Sequence, residues 1–211
     1  MKSIHRVIIS EDFITLIFIL GVVLLFIMKT FNAKQLYGYT TALFTQGFIE
    51  QTAEQKNSLF NSFYLLLQFF AVITIGLTLY FYTTPLYFEI NYTVCLTIIS
   101  FLIIYFILKQ ALQTLIINLL QLKDELSYLV YSKNGYLYAC SLLLFPFLIL
   151  YQYTFKSKLF LTLIISLLLI FRLFLIFKHN KKILSQHFFY FILYFCTLEL
   201  APLLLIYKTI T

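Results

Sequence analysis

Apolar runs of about twenty residues, separated by short polar segments, make up most of this chain. A helix needs about 20 apolar residues to cross ~30 Å of hydrocarbon. A transmembrane barrel would instead show strands of about ten residues in which apolar and polar side chains alternate, and the sequence lacks that pattern. Only 11% of the 211 residues are charged, whereas a soluble domain carries about 25%. The sequence therefore predicts an all-α fold, a polytopic transmembrane helix bundle with about six spans.

The predicted spans cover approximately residues 10–28, 59–82, 92–109, 136–153, 159–177 and 187–207. The first run could also be a cleaved secretory signal, because a basic segment precedes it. Glu11 and Asp12 adjoin the run and no small-residue cleavage site follows Met28, so we expect it to be retained. The segment Ser-Lys-Asn-Gly at 132–135 is typical of a turn, and we expect the fourth helix to begin after it. Residues 1–211 are predicted to form one membrane domain.

Two further stretches are polar on one side and apolar on the other. In residues 33–51, apolar side chains recur at helical spacing beside Gln and Thr, which predicts a helix lying at the headgroup level. Residues 109–130 carry a leucine-rich stripe opposite Lys, Gln, Asp and Glu side chains. We interpret this second stretch as the third helix leaving the membrane and continuing along its surface. Its polar side is either a solvated face or a docking site.

Positive charge in short loops predicts the orientation of the chain in the membrane. If the chain starts outside, the inner loops hold Lys29, Lys34, Lys56, Lys109, Lys123, Lys133, Lys178, Lys181 and Lys182. The outer side then holds Lys2, Arg6, Lys156, Lys158 and Lys208. This excess predicts a multi-pass protein with both termini in the periplasm. The positive charges do not cluster as a nucleic-acid surface requires, so we expect lipid as the surrounding partner and no nucleic acid.

Glu199 lies in the middle of the last apolar run, shortly before Pro202. An acidic residue at the centre of a membrane helix costs about 2.5–3.5 kcal/mol and should face protein or water. Pro202 leaves the carbonyl of Leu198 without its helical donor, next to the Glu199 carboxyl. Two interpretations stay open. Glu199 either fastens helices together through hydrogen bonds or takes part in a proton, ion or substrate pathway.

Three other residues are candidate partners for Glu199 in one intramembrane polar site. Gln68 lies about ten residues into the second run, at a suitable depth for a hydrogen bond. Arg172 and Lys109 are the candidate cations, and both are predicted to lie some 10 Å closer to the inner face than Glu199. Arg172 could also extend its guanidinium toward the headgroups instead.

No constellation for catalysis, cofactor binding or metal binding is found. The sequence lacks a P-loop, a His-Glu-x-x-His motif and a Gly-x-Ser-x-Gly motif. Cys95, Cys140 and Cys196 are too far apart for a metal site or a disulfide framework, and the three histidines have no ligand spacing. We therefore expect a protein that is not an enzyme and has no cofactor.

The ending His-Phe-Phe-Tyr-Phe-Ile-Leu-Tyr-Phe-Cys-Thr-Leu-Glu-Leu-Ala-Pro-Leu-Leu-Leu-Ile-Tyr-Lys, residues 187–208, carries a family resemblance. It resembles the C-terminal signature of integral membrane proteins of Bacteroidota catalogued as domain of unknown function 4271, which show a Cys/Ala-x-Leu-Glu-x-x-Pro-Leu pattern. The upstream order of one helix, a basic elbow and a helical bundle is also similar. The resemblance implies a bacterial inner membrane and places the motif glutamate and proline at Glu199 and Pro202. It implies no activity.

Three hypotheses for function follow. The first is a non-enzymatic accessory or scaffold subunit of an envelope assembly, with other membrane proteins of the envelope as partners. The second is a small transporter or channel that uses Glu199 near the bilayer midplane beside a proline-broken helix. The third is a lipid-handling membrane enzyme, for which Gln110, Gln113, Asn118 and Arg172 are the only candidate polar groups on the inner side.

Overall fold

A computed structural model describes residues 12–43, 47–54, 62–87, 92–119, 123–154 and 156–179. These residues form the helices α1 (Asp12–Thr41), α2 (Phe48–Glu54), α3 (Ser62–Tyr87), α4 (Tyr92–Leu119), α5 (Lys123–Tyr153) and α6 (Lys158–His179). No strand occurs among the described residues, which confirms the all-α prediction. The last predicted span, residues 187–207, lies outside the described residues together with Glu199 and Pro202.

Five of the helices are long and apolar enough to cross a membrane. Their apolar segments are Phe13–Thr41, Ser62–Thr83, Tyr92–Leu115, Val130–Tyr153 and Lys158–Ile176. They correspond in order to the first five predicted spans, so those five predictions are confirmed as long apolar helices. The predicted total of six is not confirmed, because the sixth run lies outside the described residues.

The centre of the bundle is formed by α3 and α5. α3 packs against α1, α4 and α5, and α5 packs in addition against α1, α2 and α6. In an apolar window of 18 residues, 61% of the residues are buried in α3, whereas only 11% are buried in α4 and 17% in α6. Because so few of their residues are buried, α4 and α6 present most of their apolar side chains outward. This is the arrangement expected of helices whose outer faces contact lipid.

The two ends of the bundle are marked by different contacts. At one end, which we call the Tyr153 end, Thr15 Oγ1 at the start of α1 lies 2.8 Å from the hydroxyl oxygen of Tyr153 at the end of α5. At the opposite end, the Tyr39 end, the ring of Tyr39 in the last part of α1 packs edge-on against Tyr64 near the start of α3. The buried polar side chains of Gln113, Ser132 and Lys133 lie toward the Tyr39 end.

A kink at Asn32 divides α1 into two parts. Asn32 has extended backbone angles (φ −158°, ψ 87°), and its Oδ1 accepts a hydrogen bond of 3.1 Å from the backbone N–H of Gln35. Asn32 therefore acts as the N-cap of a new helical segment that begins after it. The predicted helix over 33–51 corresponds to the end of α1, up to Thr41, and to the start of α2, which follows Gly47. Gly47 has a φ of +97°, a value that glycine adopts readily.

The predicted turn at residues 132–135 is wrong, because these residues lie inside α5. A β-carbon at Gly135 would approach the side chain of Ile49 on α2 to 2.9 Å. Glycine at this position therefore permits close packing of α2 on α5 and does not mark a turn. The described residues of the stretch 109–130 belong to two helices. Its first part continues α4 to Leu119, as expected, and its last part begins α5.

Candidate functional site

A polar pocket lies at the Tyr39 end, where α1 to α5 converge. It is lined by Tyr39, Thr52, Tyr64, Gln68, Phe106, Lys109, Gln110, Gln113, Tyr131, Asn134, Gly135 and Tyr138. Its water-accessible volume is about 30 Å³. One water needs roughly 10–15 Å³ on this measure. The pocket therefore has room for two or three waters or for one compact polar group.

Tyr39 occupies the centre of the aromatic wall of this pocket. Its ring lies 5.3 Å from the ring of Phe48, 6.4 Å from that of Tyr64 and 6.3 Å from that of Tyr138, each in an edge-to-face arrangement. The Tyr39 hydroxyl also interacts with the side chains of Tyr64 and Thr52. Because buried aromatic pairs contribute about 0.5–1.5 kcal/mol each beyond their area, this wall joins α1, α2, α3 and α5.

Lys109 supplies positive charge to the pocket from α4. Its side chain is half-buried, and its Nζ lies 5.9 Å from the ring centroid of Tyr105 and 5.8 Å from that of Phe106. A Lys ammonium within about 6 Å of an aromatic face is attracted by the ring. Of these two rings, that of Phe106 also lines the pocket.

Four amide side chains complete the polar lining. Gln68 comes from α3, Gln110 and Gln113 come from α4, and Asn134 comes from α5. Gln113 is only 3% exposed. Each amide can donate as well as accept hydrogen bonds. Together with the phenols, these groups suit an occupant that accepts several hydrogen bonds at once.

The structure brings two of the predicted site residues together, since Gln68 and Lys109 line the same pocket. Sequence reasoning misses Asn134, because the composition of residues 132–135 is typical of a turn. It also misses that Tyr39 and Tyr138 line the same pocket. In the sequence, each of these residues is only a side chain with a polar group within or near a predicted helix. No spacing rule reveals which polar positions on different helices meet.

Arg172 lies elsewhere, on the side of α5 that faces α6. Its Nη2 donates a hydrogen bond of 3.5 Å to the backbone carbonyl oxygen of Lys133. It lines the end of an apolar cleft of about 260 Å³ between α3, α5 and α6, which also includes Cys140 and Ser141. Arg172 therefore does not share a site with Gln68 and Lys109. The partnership predicted for Glu199 falls outside the described residues.

The polar groups suggested for lipid chemistry are divided between these two places. Gln110 and Gln113 line the polar pocket, whereas Arg172 lines the apolar cleft. The side chain of Asn118 lies outside the described residues. Within the described part of the chain, no three His, Cys, Asp or Glu side chains come together in a way that could hold a metal ion.

Five described helices long and apolar enough to cross a membrane, packed around the central pair α3 and α5, are typical of a polytopic α-helical membrane protein. The chain belongs to the family described as a domain of unknown function (DUF4271), whose model matches residues 14–210. This match confirms the resemblance carried by residues 187–208. No curated protein and no solved structure matches the chain.

Proposed function

We propose that this chain is a non-enzymatic accessory or scaffold subunit of an envelope assembly in the bacterial inner membrane. The observation that supports this role is the apolar packing of the described interior beyond the polar pocket. Phe70, Leu77 and Leu148 are fully buried there. A transporter requires a polar site near the bilayer midplane, and the side chains filling this part of the described bundle are almost all apolar.

The buried hydroxyl groups in the same region hydrogen-bond within their own helices. Thr74 Oγ1 donates to the backbone carbonyl of Phe70 at 2.9 Å, and Ser141 Oγ donates to that of Tyr138 at 2.8 Å. Such bonds satisfy the hydroxyl locally. These two hydroxyls therefore favour a structural interior over a pathway for polar solutes.

For the orientation, we propose that the Tyr39 end faces the cytoplasm and that both termini are periplasmic. Lys29, Lys34, Lys109 and Lys178 lie toward the Tyr39 end, and cytoplasmic segments carry an excess of Lys and Arg. In this topology, residues 187–207 supply a sixth span. The proposal also includes a source in Bacteroidota, as the family resemblance implies.

Site-specific photocrosslinking in living cells tests the accessory role. A photoreactive phenylalanine analogue is placed at Ile19 on α1, Ile104 on α4 or Ile170 on α6, which are all more than half exposed. Leu77, fully buried in α3, is the control position. We expect one protein to be captured reproducibly from one of these faces and not from Leu77. If every face yields only lipid adducts and the solubilised protein purifies alone, the accessory role is wrong.

A small transporter or channel is the second candidate. The observation that favours it is the convergence of Gln68 and Lys109 in one pocket, since both residues are predicted partners of Glu199. Glu199→Gln retains hydrogen bonding and removes the charge, whereas Glu199→Leu removes both. Transport predicts that both variants reduce cell fitness. If Gln is tolerated and Leu is not, Glu199 is not a proton relay.

A lipid-handling enzyme is the third candidate, and it requires polar groups that converge on one lipid. The separation of Gln110 from Arg172 between pocket and cleft weighs against it. Thin-layer analysis of lipids from cells that overproduce the chain tests this possibility. A lipid product that depends on Arg172 would favour it over the accessory role.

A further inference from the structure

We propose that the polar pocket binds the phosphate group of an anionic phospholipid from the leaflet at the Tyr39 end of the bundle. Such a lipid-binding site is an addition to the proposed accessory role and does not depend on that role. The proposal rests on the charge of the pocket lining, the size of the pocket, and its position next to an outward-facing apolar helix surface.

The charge of the described lining favours an anion. Lys109 is the one charged residue among the lining side chains, and the others are amides, phenols, a hydroxyl, one phenylalanine and one glycine. Lysine is a common point-charge ligand for phosphate. The amide N–H groups of Gln68 and Asn134, which also line the pocket, are additional donors. A phosphate ester offers several acceptor oxygens and a negative charge to such a lining.

The size of the pocket selects a compact group. A water-accessible volume of about 30 Å³ is two to three times the roughly 10–15 Å³ that one water requires. A single phosphate or carboxylate group is of this size, whereas a nucleotide or a sugar is larger. The pocket can therefore hold the charged part of a larger molecule whose remainder lies outside.

The position of the pocket favours a lipid over free phosphate. On α4, the pocket residues Lys109, Gln110 and Gln113 alternate with Leu108 and Leu112, which are 58% and 48% exposed. An acyl chain can therefore lie along the outer face of α4 while the phosphate enters the pocket. Gln68 is six residues from the start of α3, about 9 Å along the helix axis. This depth suits a headgroup near the membrane surface, and basic pockets between membrane helices bind anionic headgroups.

Native mass spectrometry of the full chain tests the proposal with three probes, namely phosphatidylglycerol, phosphatidylcholine and inorganic phosphate. We expect phosphatidylglycerol to be retained most strongly. Lys109→Gln should weaken its binding by about tenfold or more, corresponding to the loss of a charge-assisted contact. Lys109→Arg should retain binding. Lys158→Gln is the matched control, because Lys158 is an exposed lysine at the Tyr153 end and should leave binding unchanged.

A second variant keeps the test decisive if Lys109→Gln fails to fold. Gln68→Glu adds a carboxylate to the lining and should repel the phosphate, so phosphatidylglycerol should no longer raise the unfolding temperature of this variant. Equal retention of phosphatidylglycerol by the wild type and both variants would overturn the site. Equal retention of phosphatidylcholine would show that charge does not matter and would also overturn it. Binding of inorganic phosphate as tight as that of the lipid would overturn the assignment to a lipid.

Discussion

Gly135 on α5 lies directly against Ile49 on α2, and a β-carbon at Gly135 would come within 2.9 Å of Ile49 Cγ2. Ile49 is only 3% exposed, so its side chain has little space into which it could move. The absence of a side chain at Gly135 thus allows a short helix to pack closely on the central helix. This contact also brings Thr52 of α2 to the polar pocket.

Gly135→Ala should destabilise the protein by about 1–3 kcal/mol, the usual cost of adding a methyl group to a packed contact. Ile49→Ala in the same chain should recover part of this loss, because it removes the atom that the new methyl group meets. A double-mutant cycle measures the coupling. The readout is the temperature at which fully buried Cys95 reacts with a fluorogenic maleimide. Additive effects of the two substitutions would contradict the contact.

Two substitutions at Tyr39 should separate the contribution of its ring from that of its hydroxyl. Tyr39→Phe retains the ring contacts and loses the interactions of the hydroxyl with Tyr64 and Thr52, which should cost about 0.5–1.5 kcal/mol. Tyr39→Ala also leaves a cavity and should cost about 3–5 kcal/mol. The unfolding temperatures of both variants provide the comparison. Equal losses would show that the aromatic wall does not stabilise the pocket.

Asn32→Ala should destabilise the second part of α1 by about 0.5–2 kcal/mol, because the side-chain oxygen that caps the Gln35 N–H is lost. Asn32→Ser is the matched control, since serine is a comparable N-cap residue. The difference in unfolding temperature between the two variants measures the stabilisation that the N-cap hydrogen bond provides. If alanine is tolerated as well as serine, the hydrogen bond at this kink contributes nothing measurable.

The hydrogen bond between Thr15 and Tyr153 should contribute little. Hydrogen bonds between membrane helices average about 0.6 kcal/mol, and both of these residues are exposed. Thr15→Val and Tyr153→Phe should therefore each lower the stability slightly, and the double variant should lose no more than the larger single loss. A double variant whose loss equals the sum of the single losses would show that the two groups do not interact.

The sequence predicted the long helices well because their signal is local. A run of about twenty apolar residues is long enough by itself to predict a helix that crosses the membrane. Each of the first five runs forms a helix in the structure. The boundaries were less accurate. Residues 132–135 carry the composition of a turn but lie within α5, where Gly135 serves the contact with Ile49. A glycine required for close packing and a glycine required for a turn look alike in a sequence.

The candidate site was predictable only in part. Gln68 and Lys109 stood out as polar residues in apolar runs, and they do line one pocket. Arg172 stood out for the same reason, yet it bonds to the Lys133 carbonyl on another side of α5. A polar residue in an apolar helix is costly enough to be noticed from the sequence. Its rotational position about the helix axis, which decides its neighbours, is not encoded in that signal.

What the sequence determined by itself is the membrane class, the all-α fold and the order of the first five apolar helices, because apolar run length and the scarcity of charge can be read along one chain. The tertiary structure alone decided that α3 and α5 form the centre and that Tyr39, Lys109 and Asn134 meet in one pocket. Such contacts depend on which faces of different helices pack together. Uniformly apolar helices present no single apolar stripe that would indicate those faces.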